Sequence, residues 1–321
     1  MTEIQSPPDL GPVPDGVGRF TYPGYPNQIS PAQRQWIENN HLANDRLTYL
    51  RQCSDKTHAP STWGYTIYSA CSGTTSNDRF ADGLRRLEDW IRWRMQATRF
   101  VAGPESMIQR ETDYGPLDGY PQPADELAKR FWLEVIHDYP DKATVRAGLD
   151  AEEGEEDFTA VGEAFLDWVG KNGKETENLY VRNDHCLIVD EKSLQTLENL
   201  PASIPALAFD ELQTTSKVLR DAWVWLLDRE YFTNFLEHGP EIPHGFPNER
   251  PWSPWIRLRL VSLGSLWFDR PEQRLGKWQN VIQRDKQKFD RVSWWNSYPY
   301  TMNDSLRRRR EAEKKTIQEA Q

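Results

Sequence analysis

Apolar positions first settle into a regular rhythm at Trp63, Tyr65 and Ile67, which alternate with Gly64, Thr66 and Tyr68. A period of two carried by aromatic and β-branched residues predicts a strand. The polar turn CSGTTSN follows, and then Phe80, Leu84, Leu87, Ile91 and Met95 recur at spacings of three and four. That spacing predicts an amphipathic helix, with Ser76 or Asn77 as its N-cap. A second helix is expected over roughly 124–138, with Leu127, Phe131 and Val135 on one face. A third carries Val161, Phe165 and Trp168 and closes near Gly170 or Gly173. Cys186 to Val189 is continuously apolar, the pattern of a strand covered on both faces. Asp190 to Asn199 then reads as a short helix with Leu194 and Leu197 inward. Ala222 to Leu227 is another apolar run, read as a strand, with a buried helix as the competing assignment. From Trp255 to Val261 the alternation returns: Ile256, Leu258 and Leu260 face one way, Arg257, Arg259 and Val261 the other. A further helix is expected at 271–290, with Leu275, Trp278, Ile282 and Phe289 along it.

Outside these segments the pattern fades. Residues 1–33 hold Pro7, Pro8, Pro12, Pro14, Pro23, Pro26 and Pro31 without helical or strand period, and predict a flexible, partly polyproline arm. Ser30 and Pro31 suit a helix start, with Trp36, Ile37, Leu42, Leu47 and Leu50 predicting one or two short helices. Residues 100–122 read as a loop, and the acidic run from Asp150 to Asp157 as a solvated connection. From residue 301 the chain is a charged helical tail. The expected organisation is an arm (1–33), a single domain (34–300) and the tail (301–321). Four strands among helices, without a quick βαβα rhythm, predict an α+β fold. One antiparallel or mixed sheet would carry helices packed on one face, with a ferredoxin-like core.

Fourteen Trp in 321 residues point to a large aromatic core. A net charge of −10 argues against general nucleic-acid binding and against adhesion to anionic membranes. Cys53, Cys71 and Cys186 form no CxxC pair, which argues against a disulfide framework or a thiolate zinc site and for free thiols in a reducing compartment. The first residues lack the pattern of a secretory or transit leader, and no run approaches a membrane span. The cytoplasm is the expected location. Arg307, Arg308, Arg309 and Arg310 leave the nucleus open as an alternative.

Four stretches together carry a resemblance: WGYTIYSAC at 63–71, CLIVDEKSL at 186–194, AWVWLLDREY at 222–231 and WIRLRLVSLGSLW at 255–267. The chain resembles a large group of uncharacterised α+β proteins of filamentous fungi, although Ser69 stands where that group usually has a basic residue. The resemblance implies a fungal source and an α+β fold. It brings no activity and no catalytic residues. Such proteins can sit beside metabolite-biosynthesis enzymes in fungal genomes, which is an association and not a mechanism.

Few residues suggest chemistry. His238, Glu241 and His244, in HGPEIPHG, are candidate metal ligands. The prolines exclude a helical HExxH arrangement, and a surface loop is the plain alternative. His185 and Cys186 are neighbours on a strand, so they face opposite sides; Cys186 reads as a buried structural thiol, and His185 is a candidate ligand-binding group with Asp190 and Arg257. Asp190 follows an apolar strand, where it can bind a ligand or cap the next helix; capping is the commoner use. Arg257 and Arg259 share a strand face and suit a carboxylate or phosphate, or else form a solvated face paired with acids such as Glu230. Trp252, Trp255, Trp294 and Trp295 lie in Pro-bearing, loop-like contexts where exposed indoles can stack on a ligand. Trp90, Trp93, Trp132 and Trp168 read as core. No glycine-rich nucleotide loop, GxSxG elbow or kinase set occurs. The leading expectation is a non-catalytic interaction or accessory protein with no cofactor. An enzyme or binder of small apolar ligands in fungal secondary metabolism, and a nuclear regulator, are the alternatives.

Overall fold

The computed structural model describes residues 9–14, 31–57, 61–71, 75, 77–97, 122–136, 157–172, 181–207, 215, 217–238, 255–269 and 292–293. Helices α1 (Pro31–Thr57) and α2 (Asn77–Gln96) flank strand β1 (Thr66–Ser69) in the sequence. Next come α3 (Pro123–Lys129), β2 (Glu134–Ile136), α4 (Thr159–Asn172), α5 (Val181–Asp184) and β3 (His185–Val189). The later elements are α6 (Glu191–Glu198), β4 (Trp223–Asp228), α7 (Arg229–His238), β5 (Trp255–Arg259), α8 (Leu263–Asp269) and β6 (Val292–Ser293).

The strands form one mixed sheet in the order β2-β1-β3-β4-β5-β6. β2, β1 and β3 are mutually parallel, β4 runs antiparallel to both its neighbours, and β6 pairs parallel with β5. The connection from β1 to β2 carries α2 and α3 on one face. The chain then crosses back over β1 to place β3 on its other side, with α4 on the opposite face.

An α+β fold with a mixed sheet is therefore observed, but helices cover both faces rather than one. Three adjacent parallel strands also stand where a ferredoxin-like core would run antiparallel. Covering both faces explains β3: His185 to Val189 are all buried, and a strand with two dry faces has no position for an exposed polar residue. Ile67, Leu187, Val189, Val224, Leu226 and Leu258 line the first face against α1, α2, α3, α6 and α8. Tyr68, Cys186, Ile188, Trp225, Leu227 and Trp255 line the second against Val161, Phe165 and Phe232 of α4 and α7.

Two expected helices differ. The short helices expected after Pro31 are one helix of 27 residues. The helix expected over 124–138 stops at Lys129, and the chain turns into β2. Phe131, Leu133 and Val135 then project to the first core as alternate residues of an extended segment. Their backbone meets the stretch before and within β1: Trp63 N–H donates to Arg130 O at 2.9 Å and Trp132 N–H to Trp63 O at 2.9 Å. Gly64 permits this approach. Its φ is 140°, and a Cβ there would run into the carbonyl oxygen of Trp132.

Indole N–H groups tie the first core together. Trp63 Nε1 donates to Leu127 O at 2.6 Å, and Trp267 Nε1 to Gly64 O at 2.9 Å. Arg130, almost wholly buried, fastens part of the proline-rich segment. Its Nη1 donates to Gly11 O at 3.1 Å and Ser61 O at 2.8 Å, its Nη2 to Pro12 O at 3.0 Å, and its Nε to Glu126 at 2.6 Å. Val13 completes the attachment by entering the first core. The expected helix at 271–290 and the tail from 301 lie outside the described residues.

Candidate functional site at one edge of the sheet

The end of β3, the start of β4 and the end of β5 meet at one edge, because β4 alone runs the other way. Register sets the neighbours: Ile188 lies opposite Trp225, Trp225 opposite Arg257, and Trp223 opposite Arg259. Trp223, Trp225, Trp255, Arg257 and Arg259 hold alternate positions and therefore share the second face.

Asp190, buried at this edge, is the N-cap of α6 in a capping box. Its Oδ1 accepts from Ser193 N at 2.7 Å and Ser193 Oγ at 2.7 Å, while Ser193 Oγ accepts from Asp190 N at 2.8 Å. Its other oxygen accepts from Trp225 Nε1 at 3.0 Å. Capping, the commoner of the two uses, is what the structure shows, and the indole bond is an addition that local sequence did not announce.

Arg257 stands beyond the same indole. Its guanidinium carbon lies 4.8 Å from the ring centroid of Trp223 and 5.0 Å from that of Trp225. The two rings meet at 88° with centroids 5.5 Å apart, so the cation sits in a corner of two nearly perpendicular π-faces. Arg259 is half-buried one pleat further on. Burial lowers its pKa, with Asp221 opposing the shift and Arg220 reinforcing it. Trp255 is a strand residue 8% exposed, packed against Phe158 at 5.7 Å and Phe235 at 5.8 Å, which corrects its placement in an exposed loop.

The neighbouring polar groups are engaged with one another. Arg79 donates to Glu191 at 2.8 Å and to Glu198 at 2.5 and 2.8 Å, and Thr75 hydrogen-bonds Glu191. Burial, with the nearby charge of Glu191, pushes the Cys71 thiol up to about 12, and its Sγ donates to Val189 O at 3.4 Å. A thiol so held is a poor nucleophile at neutral pH.

His185 lies at the far end of β3, across the sheet from this edge. Its Nε2 is 3.3 Å from Asp228 Oδ2 on β4, and Arg229 Nη2 donates to Asp184 at 2.9 Å beside it. Cys186 faces the second core and His185 does not, so the two do not form a pair. Burial drives the Cys186 thiol pKa well up. Arg182, also at this end, lies 4.4 Å from the Trp132 ring and 3.7 Å from Glu134, whose pKa burial raises against the pull of Arg182.

The structure thus brings Asp190, Arg257 and Arg259 toward one end of the sheet, while Trp255, level with Cys186, lies toward the other end with His185. Trp252, Trp294, Trp295, Glu241, His244 and the side chains of His238 and Glu230 lie outside the described residues. Among the described residues no group of three His, Cys, Asp or Glu can hold a metal ion. Trp223 and Trp225 were missed as parts of a site. Their i, i+2 spacing in an apolar strand was the available signal, because it puts both rings on one face.

The sheet and its edge define an α+β protein with helical layers on both faces and an aromatic, cationic corner at one end of the second. No protein-family model, curated protein or solved structure matches the chain. No helix among the described residues is long and apolar enough to cross a membrane.

Proposed function

We propose that the chain is a non-catalytic binding protein, an accessory protein of the fungal group its sequence resembles, acting in the cytoplasm on a small molecule. The observation that carries this reading is Arg257 in its corner of two indoles. A cation fixed by packing suits recognition, because it is oriented before any ligand arrives. The nearby groups with catalytic potential support it, since Asp190 caps a helix, Cys71 is held protonated, and Arg79 is bound by two carboxylates. The test is to incubate the full chain with a metabolite extract of a filamentous fungus and separate bound from free compounds by ultrafiltration. One compound retained in near-equimolar amount and released with its mass unchanged is the expected result. Time-dependent conversion of any compound to a new mass, or retention of none, overturns the reading.

A second reading, an interaction protein with a protein partner, is favoured by residues 201–207. Pro201 to Ile204 and Ala206 are exposed, and no charge occurs from Asn199 to Leu207. α2 braces this apolar loop from below: Trp90 Nε1 donates to Pro201 O at 3.0 Å, Trp93 Nε1 to Pro205 O at 3.1 Å, and Arg86 Nη1 to Leu200 O at 2.8 Å. A photo-crosslinking residue at position 204 should give one discrete adduct in cells. A smear, or no adduct, removes this reading. The nuclear alternative rests on Arg307–Arg310, beyond the described residues.

A further inference from the structure

Beside β2, the strand farthest from β5 and β6 in the sheet, the protein holds a piece of itself as a guest. Arg130, between α3 and β2, is 1% exposed. Its Nε donates to Glu126 and its Nη1 to Ser61 O, which fixes the guanidinium in place. The remaining N–H groups go to consecutive carbonyls of the arm: Leu10 O at 3.3 Å, Gly11 O at 3.1 Å and Pro12 O at 3.0 Å. Every donor of the fork is thereby used. Carbonyls of an extended chain point to alternate sides, so three in a row reach one cation only if the chain turns. Gly11 makes that turn with a φ of 67°, and its N–H donates to Asp9 Oδ1 at 3.0 Å. No atom lies within 4 Å of where a Cβ would stand, so this glycine serves for its conformation and not for space. Val13 then enters the first core, while Asp9 and Pro12 stay exposed.

The arm is held as a bound peptide is held. Among the described residues no backbone-to-backbone hydrogen bond joins 9–14 to another element. One side chain supplies the polar contacts to its carbonyls, and one valine fills one apolar place. Glu126 already provides the countercharge for Arg130, so the socket calls for neutral carbonyl oxygens rather than an anion. With no occupant, three donations of a buried cation would be lost, which disfavours an empty socket. A segment with the same turn and the same valine can take the arm's place. We propose that this socket is a peptide-binding site, closed in cis by residues 9–14. Its outside ligand is a Gly-Pro-Val-Pro-like segment of a partner protein, turned at the glycine and presenting a valine-sized side chain. Binding such a partner releases the arm. The site is separate from Arg257 and does not depend on the small-molecule reading.

The probe is residues 9–14 as a free peptide, DLGPVP, with fluorescein on its amino terminus, titrated against the full chain and read by anisotropy. Val13→Asp dislodges the arm and should bind the probe saturably, with a Kd on the order of 100 µM. The parent should bind at least about tenfold more weakly, because a tethered arm competes at an effective concentration of about 1 mM. If Val13→Asp fails to fold, Gly11→Val opens the socket instead, since a β-branched residue strains the left-handed φ. Two altered peptides leave the protein untouched. Aspartate in place of the valine should abolish binding, and alanine in place of the glycine should weaken it severalfold. No saturation in either variant at about 1 mM peptide, equal binding by parent and variant, or equal binding of either altered peptide overturns the proposal.

Discussion

Asp190 shows how one side chain can hold three elements. Its carboxylate receives the backbone of α6 through Ser193 and the indole of β4 through Trp225, and it leaves β3 to do so. Asp190→Ala removes a cap worth about 1 kcal/mol and strands a buried indole N–H, so the unfolding free energy should fall by about 3 kcal/mol in urea denaturation. Asp190→Asn keeps the cap but turns an amide N–H toward the indole N–H, and should fall between. The thiols give a second check. Cys53, Cys71 and Cys186 are all buried, and burial raises the pKa of Cys71 and Cys186. Iodoacetamide at neutral pH should label none of the three in the folded protein and all three in guanidinium chloride; labelling of Cys71 before unfolding would contradict its described burial. The capping role of Asp190 was legible in the sequence because a cap is decided within four residues. Its bond to Trp225 was not, because that depends on which strand lies beside β3.

Among elements, the pairing of β1 with β2 depends on Gly64. Gly64→Ala brings together an unfavourable φ and a clash with Trp132 O, and should destabilise the fold by about 3–4 kcal/mol. A thermal midpoint unchanged by this substitution would mean that the two strands do not approach as described. On α2, burial raises the pKa of Glu88 above 4.5, against the attraction of Arg92. The folded state therefore holds this proton more tightly than the unfolded chain, and the group's contribution to stability falls as pH rises from 4.5 through the folded value. Glu134 shifts in the same direction, for the same first cause. Glu88→Gln should flatten that part of the stability profile and leave the variant no less stable than the parent above the window. Urea midpoints measured from about pH 4 to 7 would show it. Elements whose signal is local were legible: β1 by alternation, α2 by its spacing of three and four, β3 by its unbroken apolar run. The stretch from Phe131 to Ile136 was not. Leu127, Phe131 and Val135 are four apart, a spacing that satisfies a helix and also keeps Phe131 and Val135 on one side of a strand. What decides between them is the partner, the stretch around β1, which lies about 70 residues earlier in the chain.

For the whole molecule, the sequence left an antiparallel or a mixed sheet open and placed the helices on one face, where the structure has a mixed sheet covered on both. The continuous apolar run of β3 implied two dry faces, yet the strand order that requires them comes from the return of the chain across β1. The candidate site had the same fate. The shared face of Arg257 and Arg259 was visible as alternation, while the walls of the corner come from β4, whose antiparallel placement no local pattern states. A larger-scale test concerns residues 9–14. Arg130→Met removes the donors to Leu10, Gly11, Pro12 and Ser61 and should expose the segment to protease. Because Arg130 is buried, Val13→Asp provides the check: it should free the same segment without touching the guanidinium, and protection of residues 9–14 in both variants would show that other contacts hold them.

That attachment has a bearing on how the protein is made. Leu10 to Pro12 leave the ribosome between 118 and 120 positions ahead of the arginine that receives them. At ordinary elongation speeds the gap lasts roughly ten seconds. During that interval residues 9–14 have no seat and are open to chaperones, and any group attached to them by then must be accommodated beside Arg130 when the seat is finally built.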